Sequence, residues 1–162
     1  MKRLIAAICL ALLTANQAFA LSCRRPSVEA SYLHHSQANE RYILVSGQLT
    51  NKRNVVLGPQ TEGANGDRAE NFTANFVGHQ ATRAGFSRPV NTSVAVSATC
   101  AGPWCGMVDM ETPMITFLEI TSYGHQLSVG PCGMSVFYDP NKDQIERVLQ
   151  CLRGGVCDPP TR

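Results

Sequence analysis

The sequence predicts a mainly β domain, an antiparallel barrel or sandwich with a short helix before it, an amphipathic helix after it, and disulfides holding it. Three observations lead to that class. Short β-branched and aromatic runs recur with turn residues between them, the last long segment has helical apolar spacing, and six cysteines follow an apolar leader.

The leader, residues 1–20, has the three parts of a secretory signal. Met1, Lys2 and Arg3 make a basic start, an apolar stretch runs from Leu4 to Leu13, and Ala18-Phe19-Ala20 is a small-x-small cleavage site. A membrane span needs about 20 consecutive apolar residues, and Thr14, Asn16 and Gln17 end this run earlier. No later run approaches that length. The expected product is therefore a soluble single domain, residues 21–162, periplasmic or secreted.

Cleavage also changes the charge. Lys2 and Arg3 leave, so the 14 basic residues become 12 against 12 acidic ones, a formal net charge of zero. A neutral domain with scattered Lys and Arg lacks the footprint of a protein that binds nucleic acid or an anionic membrane. The pair Arg24-Arg25 reads as a solvated surface feature. Of seven cysteines, Cys9 goes with the leader and Cys23, Cys100, Cys105, Cys132, Cys151 and Cys157 remain. An even set in an oxidising compartment reads as disulfides rather than a metal or redox centre. The 142 residues left (162 − 20) can bury a core without them, so the bridges point to a harsh exterior.

The elements follow in order. From Pro26 to about Asn39 the composition favours a short helix, with Pro26 in its first turn and Val28, Tyr32 and His35 on one face. Tyr42 to Thr50 is β-rich, and Gly47 inside it suggests a bulge or sharp bend. Residues 58–70 read as a surface loop, carrying Gly58, Pro59, Gly63, Asn65, Gly66 and Asp67. Strand patterns resume at Asn71 to Val77, Val90 to Thr99, Ile115 to Ile120, Gln126 to Val129 and Met134 to Tyr138. Then Asp139 can cap a helix and Pro140 suits its first position. Ile145, Val148, Leu149 and Leu152 follow the i, i+3, i+4, i+7 rule, Lys142–Glu146 and Asp143–Arg147 are opposite-charge pairs, and Gly154-Gly155 ends the helix. Its stripe is expected to close one side or end of the barrel.

Asn75-Phe76-Val77-Gly78, Trp104-Cys105-Gly106 and Gly130-Pro131-Cys132, together with Cys23 and the closing helix, resemble the netrin-like domain of the tissue inhibitors of metalloproteinases. The resemblance spans about residues 71–138 plus Cys23. The pair Gly-Pro-Trp-Cys-Gly and Gly-Pro-Cys-Gly also resembles one in small exported bacterial proteins. The resemblance implies a five-stranded OB-type antiparallel barrel and a Cys23–Cys132 bridge. It also implies a partner-binding edge at Leu21, Ser22 and Cys23, held against a rim of neighbouring loops that includes Trp104. Local closure of short loops suggests Cys100–Cys105 and Cys151–Cys157, although sequence alone leaves other connectivities open. Family inhibitors begin at Cys-x-Cys, whose first residue chelates a protease zinc through its amine and carbonyl oxygen. Here a single cysteine is present, and cleavage after Ala20 leaves Leu21-Ser22 ahead of it.

Other candidates compete with plain structural roles. Cys100-Ala101-Gly102-Pro103-Trp104-Cys105 has four residues between its cysteines, not the two a redox turn needs. Met107, Met110 and Met114, with Met134 and His125 as helpers, could hold Cu(I), which prefers soft ligands, but methionine is more often core filling. His34, His35, His79 and His125 lack metal-ligand spacing, and adjacent His34 and His35 would point to different sides of a helix. Asp109 and Glu111 could share a strand face without an acid–base partner. Asn71-Phe72-Thr73 and Asn91-Thr92-Ser93 are formal glycosylation sequons. The expected function is a non-catalytic, monomeric binding or interaction module without cofactor, acting on an unknown protein or small ligand. A metalloprotease inhibitor, an exported copper-binding protein and an enzyme with an unrecognised site are the alternatives.

Overall fold

A computed structural model describes residues 21–23, 26–60 and 67–160; the leader, Arg24-Arg25 and the middle of the expected 58–70 loop lie outside it. Helix α1 (Val28–Ser36) is capped by the Ser27 side chain, which accepts from the Ala30 N–H. Pro26 thus precedes the cap instead of occupying the first turn. Strands β1 (Tyr42–Gln60), β2 (Arg68–Thr82), β3 (Gly85–Ala98), β4 (Cys100–Ala101), β5 (Trp104–Cys105), β6 (Met114–Thr121), β7 (Gly124–Val129) and β8 (Val136–Tyr138) follow, and α2 (Lys142–Leu152) closes the chain.

The protein is mainly β. Strands β1, β2, β3, β7 and β6 pair in that order and β6 pairs back onto β1, so the pairings form a cycle. β3 and β7 run parallel, while the other neighbours are antiparallel. One edge of β6 is taken by β1 over Met114 to Glu119, and β8 and β7 divide the other. Alternation sets which side chains go inside: Phe72, Ala74 and Phe76 from β2, Val94 and Val96 from β3, Leu127 and Val129 from β7, with Val45, Leu49, Met114 and Leu118, form one core. A second core lies outside the cycle, where Leu44, Ile115, Phe117 and Phe137 pack on Val28 of α1 and Val148 and Leu149 of α2.

Gly47 marks no bulge. It sits opposite Gly78 in unbroken register, and a Cβ there would fall 2.7 Å from the Gly78 Cα and 2.8 Å from the Phe76 ring. The glycine pair lets β1 and β2 cross closely with Phe76 packed over them. The irregularities come later: β1 has one extra residue between Thr50 and Arg53, another between Arg53 and Val56 and a third between Leu57 and Gln60, with Asn51 and Asn54 at φ 54°. Asparagine tolerates that left-handed backbone better than most residues. The strand therefore continues past Thr50 to Gln60, beyond the expected loop start, and forms with β2 an arm that β6 does not flank.

At the other end, Asn141 caps α2 rather than Asp139, its side chain accepting from Gln144 N–H while Gln144 Oε1 accepts from Asn141 N–H, a capping box. Gly154, at φ 81°, and Gly155 end it by donating to the Cys151 and Gln150 carbonyls. The expected i,i+4 pairs on α2 do not form. Arg147 instead reaches Glu29 of α1, Nε to Oε1 2.6 Å, because Glu29 is buried and a buried carboxylate requires a partner, and Glu146 pairs with Arg153 at 3.5 Å. Three disulfides, Cys23–Cys132, Cys100–Cys105 and Cys151–Cys157, complete the chain.

Gly47→Ala and Gly78→Ala should each destabilise by about 1–3 kcal/mol or more, the usual range for overpacking, because each added methyl meets backbone. Urea unfolding of both variants checks this; a midpoint within error of the parent would show that the crossing is looser than described.

Candidate functional site

The end of the molecule that carries the Cys100–Cys105 hairpin gathers several candidate residues. Cys100 and Cys105 face each other across β4 and β5, with Trp104 opposite Ala101 beside the turn and 41% exposed. The next residue, Gly106, donates to the Thr99 carbonyl, and Thr99 donates to the Val129 carbonyl. A Cβ on Gly106 would lie 2.7 Å from the Val129 carbonyl carbon and 3.0 Å from the Gly130 oxygen, so no side chain fits. The Gly-Pro-Trp-Cys-Gly hairpin is thereby seated on the start of the Gly-Pro-Cys-Gly turn, and Cys132 in that turn holds Cys23. Leu21, Ser22 and Cys23 are exposed. The hairpin, the turn and the N-terminal segment are thus linked in series by backbone contact and a disulfide.

Beside them lies an open groove of about 510 Å³, lined by Leu57 of the β1 arm, Asp67 just ahead of β2, Arg68 and Glu70 of β2, and Cys105 to Val108. Leu57 is 55% exposed and Met107 71%. Among the described residues nine large apolar side chains are exposed, and six of them, Leu21, Val55, Val56, Leu57, Trp104 and Met107, belong to the arm, the hairpin with the residues after it, or the tethered N-terminus. Sequence reasoning located Trp104 and the N-terminus but missed the arm, since its apolar triplet follows two asparagines that read as the end of a strand.

The methionines occupy three environments: Met114 is fully buried in the inner core, Met110 packs against that core, and Met107 faces solvent. They do not present one shared open face. Met134 contributes its carbonyl to the Ser31 hydroxyl, and His125 Nδ1 lies 3.3 Å from Thr92 Oγ1. Among the described residues no group of three or more His, Cys, Asp or Glu side chains is placed to hold a metal. Residues 106–113 are irregular, with Glu111 at φ 61° and its N–H donating to the Leu49 carbonyl, so Asp109 and Glu111 share no strand face. The loop is fixed by Tyr138, whose hydroxyl accepts from Asp109 N–H at 2.8 Å and donates to the Met107 carbonyl at 3.4 Å; burial raises the phenol's pKa and keeps it neutral.

His34 and His35 part as their positions demand, His34 exposed and His35 buried. The His35 ring stacks on Phe117 at 4.2 Å, meets Tyr42 edge-on at 4.6 Å and places Nδ1 2.7 Å from the Ser31 carbonyl. It belongs to the outer core. His79 is exposed, as are Asn71 and Asn91 of the two sequons. No helix among the described residues is long and apolar enough to cross a membrane. The chain matches no family model, no curated protein and no solved structure.

Burial, the largest influence, and the neighbouring His34 lower the His35 pKa, and the Ser31 carbonyl opposes them. An unfolded His35 then takes up a proton before the folded one. Its contribution to stability is complete above the unfolded pKa of about 6.5 and is lost as pH falls from there toward the folded value. His35→Phe should remove this part of the pH dependence while keeping the stack on Phe117. Thermal unfolding between neutral and mildly acidic pH checks it, and equal slopes for parent and variant would disprove it. Met114→Ala should cost about 2–5 kcal/mol as a core truncation, whereas Met107→Ala should leave chemical denaturation nearly unchanged.

Proposed function

We propose that this chain is an exported, non-catalytic interaction module built on an OB-type barrel of the netrin-like kind, and that it binds a protein through the rim formed by Leu21 to Cys23, the Trp104 hairpin and the β1 arm. The cycle of five strands with a parallel β3–β7 pair supports the barrel. Three disulfides within one chain accord with an oxidising compartment. The observation that carries the reading is that six of the nine exposed large apolar side chains among the described residues belong to the arm, the hairpin with the residues after it, or the N-terminal segment, with Leu57 and Met107 lining one groove, since exposed apolar surface on a folded protein marks interaction sites. The rim is fixed before any partner arrives, because disulfides hold both Cys23 and the hairpin. Pre-ordering of that kind lowers the entropy lost on association.

A photo-crosslinking residue at position 104 or 107 of the exported protein should yield a discrete protein adduct in its native compartment, and the same residue at exposed Val156 should not. Equal adducts from all three positions, or none, would reject the rim. The N-terminus separates this reading from metalloprotease inhibition. The mature protein should begin at Leu21 and leave metalloproteases uninhibited at micromolar concentration, because Leu21-Ser22 stands ahead of the cysteine. A mature start at Cys23 together with inhibition would put the inhibitor reading first.

A further inference from the structure

The outer surface of the strand cycle is divided. Where β1, β6 and β8 pass under the helices it is apolar and covered, through Leu44, Ile115, Phe117 and Phe137. Where β2, β3 and β7 face solvent, the outward positions 71, 73, 75 and 77, 91, 93, 95 and 97, and 126 and 128 hold no charged residue at all. About a quarter to a third of a soluble surface is ordinarily Lys, Arg, Glu or Asp. In place of charge, register sets neutral hydrogen-bonding groups in rows across the strands. Asn71, Ser97 and Ser128 form one row and Thr73, Ala95 and Gln126 the next, which Arg53 of β1 flanks at one end and Glu119 of β6 at the other, while Asn75 stands opposite Ser93.

One cation serves this face. Arg53 reaches over from the bulged part of β1, its guanidinium donating to Asn75 Oδ1 at 2.9 Å, to Ser93 Oγ at 3.1 Å and to the Asn51 carbonyl at 3.1 Å. These bonds fix the plane of the fork and, because Asn75 Oδ1 is taken, commit its amide N–H₂ to solvent. Two guanidinium N–H groups also remain for a ligand. Val77, 44% exposed, and exposed Ala95 supply small apolar contacts among these donors.

We propose that the open face of β2, β3 and β7 is a second binding site, independent of the rim, for a neutral oligosaccharide. The chemistry matches on each count. Fixed amide, hydroxyl and guanidinium donors suit vicinal hydroxyls, the apolar spots suit the C–H faces of sugar rings, and with charge confined to Arg53 and Glu119 at its two margins the face favours a neutral chain over a polyion. Binding of this type depends little on salt, in contrast to recognition of an anionic polymer.

Titration of the isotope-labelled protein with cellohexaose, laminarihexaose and mannohexaose, and separately with a heparin hexasaccharide, tests this by amide chemical shifts. At least one neutral hexasaccharide should shift β2, β3 and β7 amides saturably, equally at low and high salt. Asn75→Ala should weaken that binding by about tenfold, the loss of one charge-neutral hydrogen-bonding group and its support of Arg53. Thr73→Arg, which sets a second guanidinium directly opposite Arg53 and obstructs the middle of the face, should abolish it, while the amide spectrum shows the fold retained. Shifts with heparin alone, no shifts with any neutral hexasaccharide, or binding indifferent to Thr73→Arg would overturn the proposal. So would a native glycan on Asn71 or Asn91, which would cover the face.

Discussion

Strand β6 is buried on both faces, and the placement of nearly everything else follows from that. Its run Met114 to Leu118 is buried throughout. Met114 and Leu118 enter the inner core, while Ile115 and Phe117 enter the outer one. A strand covered on both sides reads as a continuous apolar run instead of an alternating one. The polar member of the run, Thr116, is tolerated because its hydroxyl donates to the Ser135 carbonyl at 2.8 Å. β1 on one edge and β7 with β8 on the other therefore have to close around its inner face, and two helices have to cover its outer one.

The helices meet that demand with different chemistry. α2 offers a plain aliphatic stripe, Val148 and Leu149 with Ile145 and Leu152 at its margins. α1 is short and contributes Val28 together with His35, whose flat ring stacks on Phe117. Between the two helices, Glu29 is buried against Arg147, and its Oε2 has no hydrogen-bond partner among the described groups. Leaving one carboxylate oxygen unpaired in a dry interface is unfavourable, so the pair contributes more to fixing how the helices sit than to net stability. The Cys151–Cys157 bridge folds the tail back over the same seam, with Cys157 Sγ 3.9 Å from the Glu29 carbonyl.

Local chemistry made parts of this legible and non-local chemistry hid the rest. Alternation in β2 and β3, the helical stripe of α2 and its glycine stop are encoded within a few residues, and each is found where those residues stand. Cys100 with Cys105 and Cys151 with Cys157 are separated by 5 and 6 positions, so short loops bring them together. The β1 arm was invisible because its path turns on Asn51 and Asn54 adopting a positive φ, which polarity alone reads as a loop. The role of Arg147 depends on Glu29, 118 positions away (147 − 29), and no helix-surface rule can anticipate it. The rim depends on Gly106 lying against Val129 and Gly130, a contact that two similar glycine motifs suggest only in retrospect.

What remains after the two cores are assigned is also informative. The outward side chains of β2, β3 and β7 touch neither core, so packing places no demand that they be uncharged. Charge at the fully open positions 71, 91, 95 and 128 would have aided solubility. The exposure of Trp104, Met107 and Leu57 is likewise not required by hairpin closure, which needs the cysteines and the turn at Gly102 with φ 57° but no large ring. Composition that stability does not demand is best explained by contact with something else. The rim and the open face also differ from each other: one carries large exposed apolar side chains and is bound by disulfides, the other carries small polar ones ordered by a single guanidinium. Two surfaces so unlike in chemistry suit two unlike ligands, a protein at the first and a hydroxyl-rich neutral chain at the second.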